Sequence, residues 1–170
     1  MVFGGGLLVT VVTLIAMPQN RVVFGVLTCI GSCILIMNLI GKIGKKIPPE
    51  SGIIISFVLF LSAKNINDGY LGLGKILVIE IPAEWYRNYF TTYLGLPFKG
   101  FYSTDYFSLF PWLFLFITGF YLYGIFEKQG LLEKRFMGIN MVPFSFLGRH
   151  SLLIYLLHQP VIYGLQELLF

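Results

Sequence analysis

The chain has 170 residues, 56 % of them hydrophobic and 12 % charged, with a formal net charge of +4 and a mean hydropathy of +0.80. A soluble domain carries about a quarter of its residues as charges, so a water-covered globule is a poor fit and lipid is the expected solvent. The basic residues stand in short clusters between apolar runs, a membrane-topology pattern rather than the basic stripe that grips nucleic-acid phosphates.

A spanning helix needs about 20 mostly apolar residues, and five segments approach that length. The first covers 3–17 and closes at Pro18 with the turn PQNR. Its leader MVFGGGLLV lacks a basic start, and no small-residue cleavage site follows, so this helix is expected to remain in the protein. The second covers 22–40 and stops at GKIGKKIPPE, where two prolines oppose any continuation. Within it, Gly25, Cys29 and Ser32 recur at i, i+4, i+7, spacing that lets helices approach closely in lipid. Thr28 beside them is a candidate polar wall. Cys29 and Cys33 read as packing residues, because two thiols alone do not make a metal site.

The third segment, 50–64, contains GIIISFVLFLSA. A long connection over 65–106 follows, rich in Gly, Pro, Asn and aromatic residues. Its piece KILVIEIP alternates like a strand, and the stretch 85–93 suits a short interfacial helix, where Tyr and Trp are favoured. GYLGLGKI, at 69–76, mimics a phosphate-binding loop but lacks the Ser or Thr after the lysine and the helix that should follow, and so reads as a turn. Structured loops of this length are more often functional than idle. The fourth segment covers 107–126, with Pro111 tolerated near its first turn, and the fifth covers 146–169. The expected fold is therefore all-α: a polytopic bundle of about five transmembrane helices and one long extracytoplasmic loop. If GKIGKK and EKQGLLEKR both face the cytoplasm, five alternating helices place the N-terminus inside and the C-terminus outside.

The last segment raises the functional question. LGRHSLLIYLLHQP is leucine-rich, yet Ser151, Tyr155 and His158 fall within a narrow stripe at about 100° per residue. Pro160 frees the carbonyl of Leu156 beside His158. His158 lies about 13 Å beyond Arg149 along the axis, near mid-membrane if Arg149 marks the interface. Ionisable residues at that depth usually line a cavity or a path. Arg149 and His150 at the helix start face either headgroups or an anionic ligand. Asp105, in STDYFSLFPW just before the fourth segment, suits either a helix cap or a site at the outer mouth of the bundle.

LGRHSLLIYLLHQP, STDYFSLFPWLFLFITGFYLYG and RVVFGVLTCIGSCILI together resemble the bacterial branch of the heparan-α-glucosaminide N-acetyltransferase catalytic domain family, formerly a domain of unknown function. The resemblance covers nearly the whole chain. It implies a polytopic acyltransferase that moves acetyl from cytosolic acetyl-CoA to an extracytoplasmic sugar or amine, with no metal. The sequence departs from the family pattern in lacking a D-x-x-R-G segment and in placing Thr28 where His or Gln is expected after FGVL. It is thus expected to start near the family's third helix, with a partner or homo-oligomer supplying the missing helices. On this reading His158 is the base or nucleophile, with Tyr155 and Ser151 orienting it or the acceptor. Arg149, His150, Arg135 and Lys134 attract CoA phosphates, while Asp105 and the aromatic loop meet the acceptor. The alternatives from other classes are a non-enzymatic membrane subunit or transporter piece, and an inactive truncated product.

Overall fold

A computed structural model describes residues 1–73, 78–131 and 142–169. The chain is mostly helical. Among the described residues are five long helices, α1 (Val2–Ala16), α2 (Val26–Gly44), α3 (Pro49–Ala63), α5 (Leu109–Lys128) and α6 (Val142–Leu169); α1 to α3 follow one another through turns, and a structured connection leads from α3 to α5. That connection holds the short helix α4 (Tyr89–Leu94) and a two-stranded antiparallel ribbon of β1 (Tyr70–Leu71) and β2 (Ile79–Glu80). The strand-like KILVIEIP thus contributes only its Ile79–Glu80 portion to described pairing. Residues 74–77, which include the lysine of the loop-like GYLGLGKI, lie outside the described residues.

Among the described residues, two helices, α5 and a 20-residue stretch beginning with α3, are long and apolar enough to cross a membrane, while α1 and α2 are apolar but shorter. Large apolar side chains face outward on each of them, among them Leu8, Ile15, Leu39, Ile54 and Leu122. In water such a continuous apolar exterior would be a heavy liability; in hydrocarbon it is the ordinary outer surface.

The interior is correspondingly rich in small and polar residues. Helices have no hydrophobic drive to associate in lipid, so close approach and hydrogen bonding hold them together. α3 and α5 pack antiparallel through the buried Gly52, Ser56 and Ala63 of α3. Gly52 lies flat against the Tyr121 ring, where an added Cβ would come within 2.6 Å of it. One turn on, the Ser56 and Thr118 hydroxyls share a hydrogen bond of 2.8 Å. The Tyr121 hydroxyl then donates to the Gly44 carbonyl at 3.2 Å, tying α5 to the end of α2. α1 meets α2 by the same device: Gly6 sits on Thr28, and Gly31 on the Phe3 backbone. Cys29 and Cys33 join Leu109 and Leu113 in the buried contact between α2 and α5.

Two helix starts differ from the apolar runs. The second run begins at Val22, but α2 begins at Val26, because Phe24 takes a left-handed conformation with φ of 58°. For a bulky residue that geometry is an outlier that breaks the helix locally. In α5, Phe110 is extended (φ −90°, ψ 135°) and its bond to Pro111 is cis. A residue before proline is pushed out of the helical region, so the regular helix runs from Pro111 onward.

Replacing Gly52 with Ala is expected to destabilise the protein by about 1–3 kcal/mol, the usual range for overpacking, since the Tyr121 ring behind it is fully packed. Thermal unfolding of the purified protein in detergent, followed by tyrosine and tryptophan fluorescence, measures this. An unchanged midpoint would mean that α3 and α5 are not locked at this contact.

Candidate functional site

The residues 102–107, just ahead of α5, are stitched to the turn that precedes α2. The Thr104 amide donates to the Arg21 carbonyl at 3.1 Å and the Phe107 amide to the Phe24 carbonyl at 2.9 Å. The Val23 amide donates to the Ser103 hydroxyl at 2.9 Å, which in turn donates to the Asp105 carbonyl at 3.2 Å. The Arg21 guanidinium donates to the Tyr102 carbonyl at 3.3 Å. This buckle turns the Asp105 carboxylate onto the N-terminus of α2, where Oδ2 accepts the Val26 amide at 3.2 Å. The first amides of a helix lack intrahelical acceptors, and the positive end of the helix dipole favours an anion there.

Gly25 makes room for the carboxylate. A Cβ at this position would lie 2.7 Å from Asp105 Oδ2 and 2.8 Å from a Val22 methyl. Phe24, held left-handed next to it, lays its ring against Tyr93 (centroids 5.3 Å apart) and against Tyr89 and Phe101. α4, which supplies Tyr89 and Tyr93, is itself closed by a capping box between Asn88 and Thr91. The Tyr93 hydroxyl donates to Ser32 of α2, and the Tyr106 hydroxyl to the carbonyl of the fully buried Thr92. Burial pushes the Tyr106 phenol up from its ordinary value, so it stays a donor and keeps this part of the loop closed.

α6 brings Tyr155 to the same carboxylate. Its hydroxyl donates to Asp105 Oδ2 at 3.2 Å. Asp105 Oδ2 therefore takes two donors from elements 79 and 50 residues away. Oδ1 accepts no hydrogen bond among the described residues. The carboxylate is half-buried, so this second oxygen remains available to a ligand. Beside the buckle, between α1, α2 and α4, lies a cleft of about 370 Å³ walled by Phe3, Phe24, Tyr89, Phe90 and Tyr93. Thr28 lines it, and its hydroxyl is buried without a hydrogen-bond partner among the described residues.

The other candidate residues are placed as follows. The Ser151 hydroxyl donates to the Gly148 carbonyl of its own helix and is exposed. His150 is also exposed, with its ring against Phe146 and Nδ1 at 3.0 Å from the Phe146 carbonyl. Arg149 is exposed beside it. Arg135, with Lys134, lies outside the described residues, as does the side chain of His158; the helix places the His158 backbone one turn beyond Tyr155. Sequence reasoning had no access to the Val26 amide, Gly25 or Ser103 as parts of the site. A glycine, Gly25, near the start of the second apolar run was the one available sign.

The fold and site are those of a helical protein with an apolar exterior that organises a carboxylate, a phenol and an aromatic cleft where loop and helices meet. The signature described as heparan-alpha-glucosaminide N-acetyltransferase, catalytic, matches residues 1–160, and the chain belongs to that family of membrane acetyltransferases. No curated protein and no solved structure matches it.

Replacing Asp105 with Ala is expected to cost about 1 kcal/mol or more through loss of the α2 cap, and Asp105→Asn distinctly less, because an amide oxygen still accepts from Val26. A double-mutant cycle of Asp105→Ala with Tyr155→Phe, read by detergent unfolding, should give a coupling of about 0.5 kcal/mol or more. Strict additivity would mean that α6 is not held to the buckle by this bond.

Proposed function

We propose that the chain spans the cytoplasmic membrane with five helices, N-terminus inside and C-terminus outside, and transfers an acetyl group to an extracytoplasmic sugar or amine. The observation that supports the reading is the convergence of Asp105 and Tyr155 from separate elements, with one carboxylate oxygen clamped and the other open. A clamped carboxylate of this kind orients a hydroxyl or ammonium donor on an acceptor, and the aromatic faces around it suit a sugar ring.

Acetyl-CoA, when bound, supplies an activated thioester. The residues present fit such a donor in one respect: Arg149 and His150 are exposed, as binding of its phosphates requires. His158, one turn from Tyr155, is the proposed general base, since imidazole titrates near neutrality. It takes the proton that the acceptor's nitrogen or oxygen releases on gaining the acetyl group, and passes it to the departing thiolate. Asp105 and Tyr155 hold the acceptor's remaining polar groups. Ser151 and Arg135 are proposed to assist orientation and phosphate binding.

The competing reading is a membrane subunit without catalysis, favoured by the use of Asp105 as a helix cap. Transfer of labelled acetyl from acetyl-CoA to amino-sugar acceptors, measured on membranes containing the full chain, separates the two. Replacing His158 with Ala is expected to lower the rate about 10²–10⁴-fold, and Asp105→Asn to weaken acceptor use, with both variants still inserted and folded. If the wild-type chain transfers no acetyl group, or if both variants transfer at the wild-type rate, the acyltransferase assignment to these residues fails.

A further inference from the structure

At the far end of α2 from Asp105, about 28 Å along the helix for its 19 residues, the turn into α3 and the last turn of α5 enclose a groove of about 670 Å³. Lys45 and Lys46 enter it from the turn and Lys128 from α5, with Glu127 the one acidic residue in its wall, which leaves an excess of two positive charges. None of the three lysines is in an ion pair among the described residues. The groove is pre-formed. Pro48 and Pro49 stiffen the turn, and Tyr121 is buried behind it with its hydroxyl on the Gly44 carbonyl.

A bias of positive charge toward one side of a membrane needs lysines near helix ends, but it does not need them in one groove. Residues about 80 positions apart have been brought to one groove here, and like charges gathered in one place repel unless an anion joins them. The surroundings indicate which anion. Ile47 in the groove wall and Leu122 on the neighbouring turn are exposed apolar side chains. Tyr123, also in the wall, is half-exposed, the usual state of an interfacial tyrosine. A soluble phosphate has no use for an apolar flank, whereas a phospholipid places its headgroup among the lysines and its chains along Ile47 and Leu122. Basic pockets between helix ends on the inner face of a membrane are a recurrent form of headgroup site.

We propose that this groove binds the phosphate headgroup of an anionic phospholipid and so anchors the α3–α5 pair at the inner membrane surface. The proposal rests on the chain being membrane-spanning. Alkaline carbonate extraction of native membranes checks that separately: release of the protein would overturn the membrane reading itself. The groove is tested on the full chain in nanodiscs of phosphatidylcholine with or without phosphatidylglycerol, with retained lipid counted by native mass spectrometry. The wild type is expected to retain phosphatidylglycerol over phosphatidylcholine by at least about tenfold, from about fivefold per lysine. In K45Q/K46Q/K128Q the preference should fall to near parity, while K45R/K46R/K128R should keep it and shows that the position tolerates change.

Retained preference in the glutamine variant would overturn the site. So would an equal loss in K64Q/K99Q, which removes two lysines from the long connection and would point to net charge alone. Saturable binding of CoA in phosphatidylcholine discs, lost with the same three lysines and displacing phosphatidylglycerol in mixed discs, would assign the groove to a soluble phosphate and overturn the lipid assignment. If the glutamine triple variant does not fold, the single variants K45Q, K46Q and K128Q carry the test, each expected to lose about fivefold; no loss in any of them refutes it.

Discussion

The structure depends on a carboxylate that caps a helix from almost 80 residues away. Asp105 accepts the Val26 amide at the head of α2, and two backbone–backbone hydrogen bonds, with a third from the Val23 amide to the Ser103 hydroxyl, run between the segment before α5 and the turn before α2. In lipid an unpaired amide costs several kcal/mol, so the turn after α1 cannot end freely. The long connection must return to this point and close it. That return sets the start of α5 beside the start of α2, and it places Tyr155 of α6 in reach of the same oxygen.

The cap and the proposed chemistry draw on one feature. A carboxylate held on Oδ2 by Val26 and Tyr155 is oriented without being used up, because Oδ1 remains available. The strain at Phe24 belongs to the same arrangement. A left-handed phenylalanine costs of order 1–3 kcal/mol, and here it turns the Phe24 carbonyl toward Phe107 and its ring onto Tyr93. Local strain therefore maintains both the buckle and the aromatic wall of the adjacent cleft.

Packing elsewhere obeys a different rule from that of a soluble core. The buried positions of α3 are Gly, Ser and Ala, and the leucines and isoleucines face outward. Small residues let backbones approach, and hydroxyls satisfy one another across the contact, as Ser56 and Thr118 do. The two ends of the bundle are consequently unlike. One is a polar buckle with aromatic walls, and the other is a lysine-lined groove on a rigid proline turn.

Much was legible without coordinates. Apolar runs, proline breaks and basic clusters mark the long helices, because lipid demands about 20 apolar residues wherever a helix crosses it. The small-residue spacing in FGVLTCIGSC corresponds to buried Cys29 and Ser32, and Asp105 and Tyr155 stood out as polar groups in apolar surroundings. The sequence could not state that these two meet, nor that α2 starts only after Phe24, nor that Lys128 joins Lys45 and Lys46 in one groove. Periodicity reports which face of a helix is polar, whereas contacts between residues 50 to 80 positions apart depend on how loops fold back. The tertiary structure decided those contacts because only in three dimensions do the Val26 amide, with no carbonyl of its own to bond, and the Asp105 oxygen find each other.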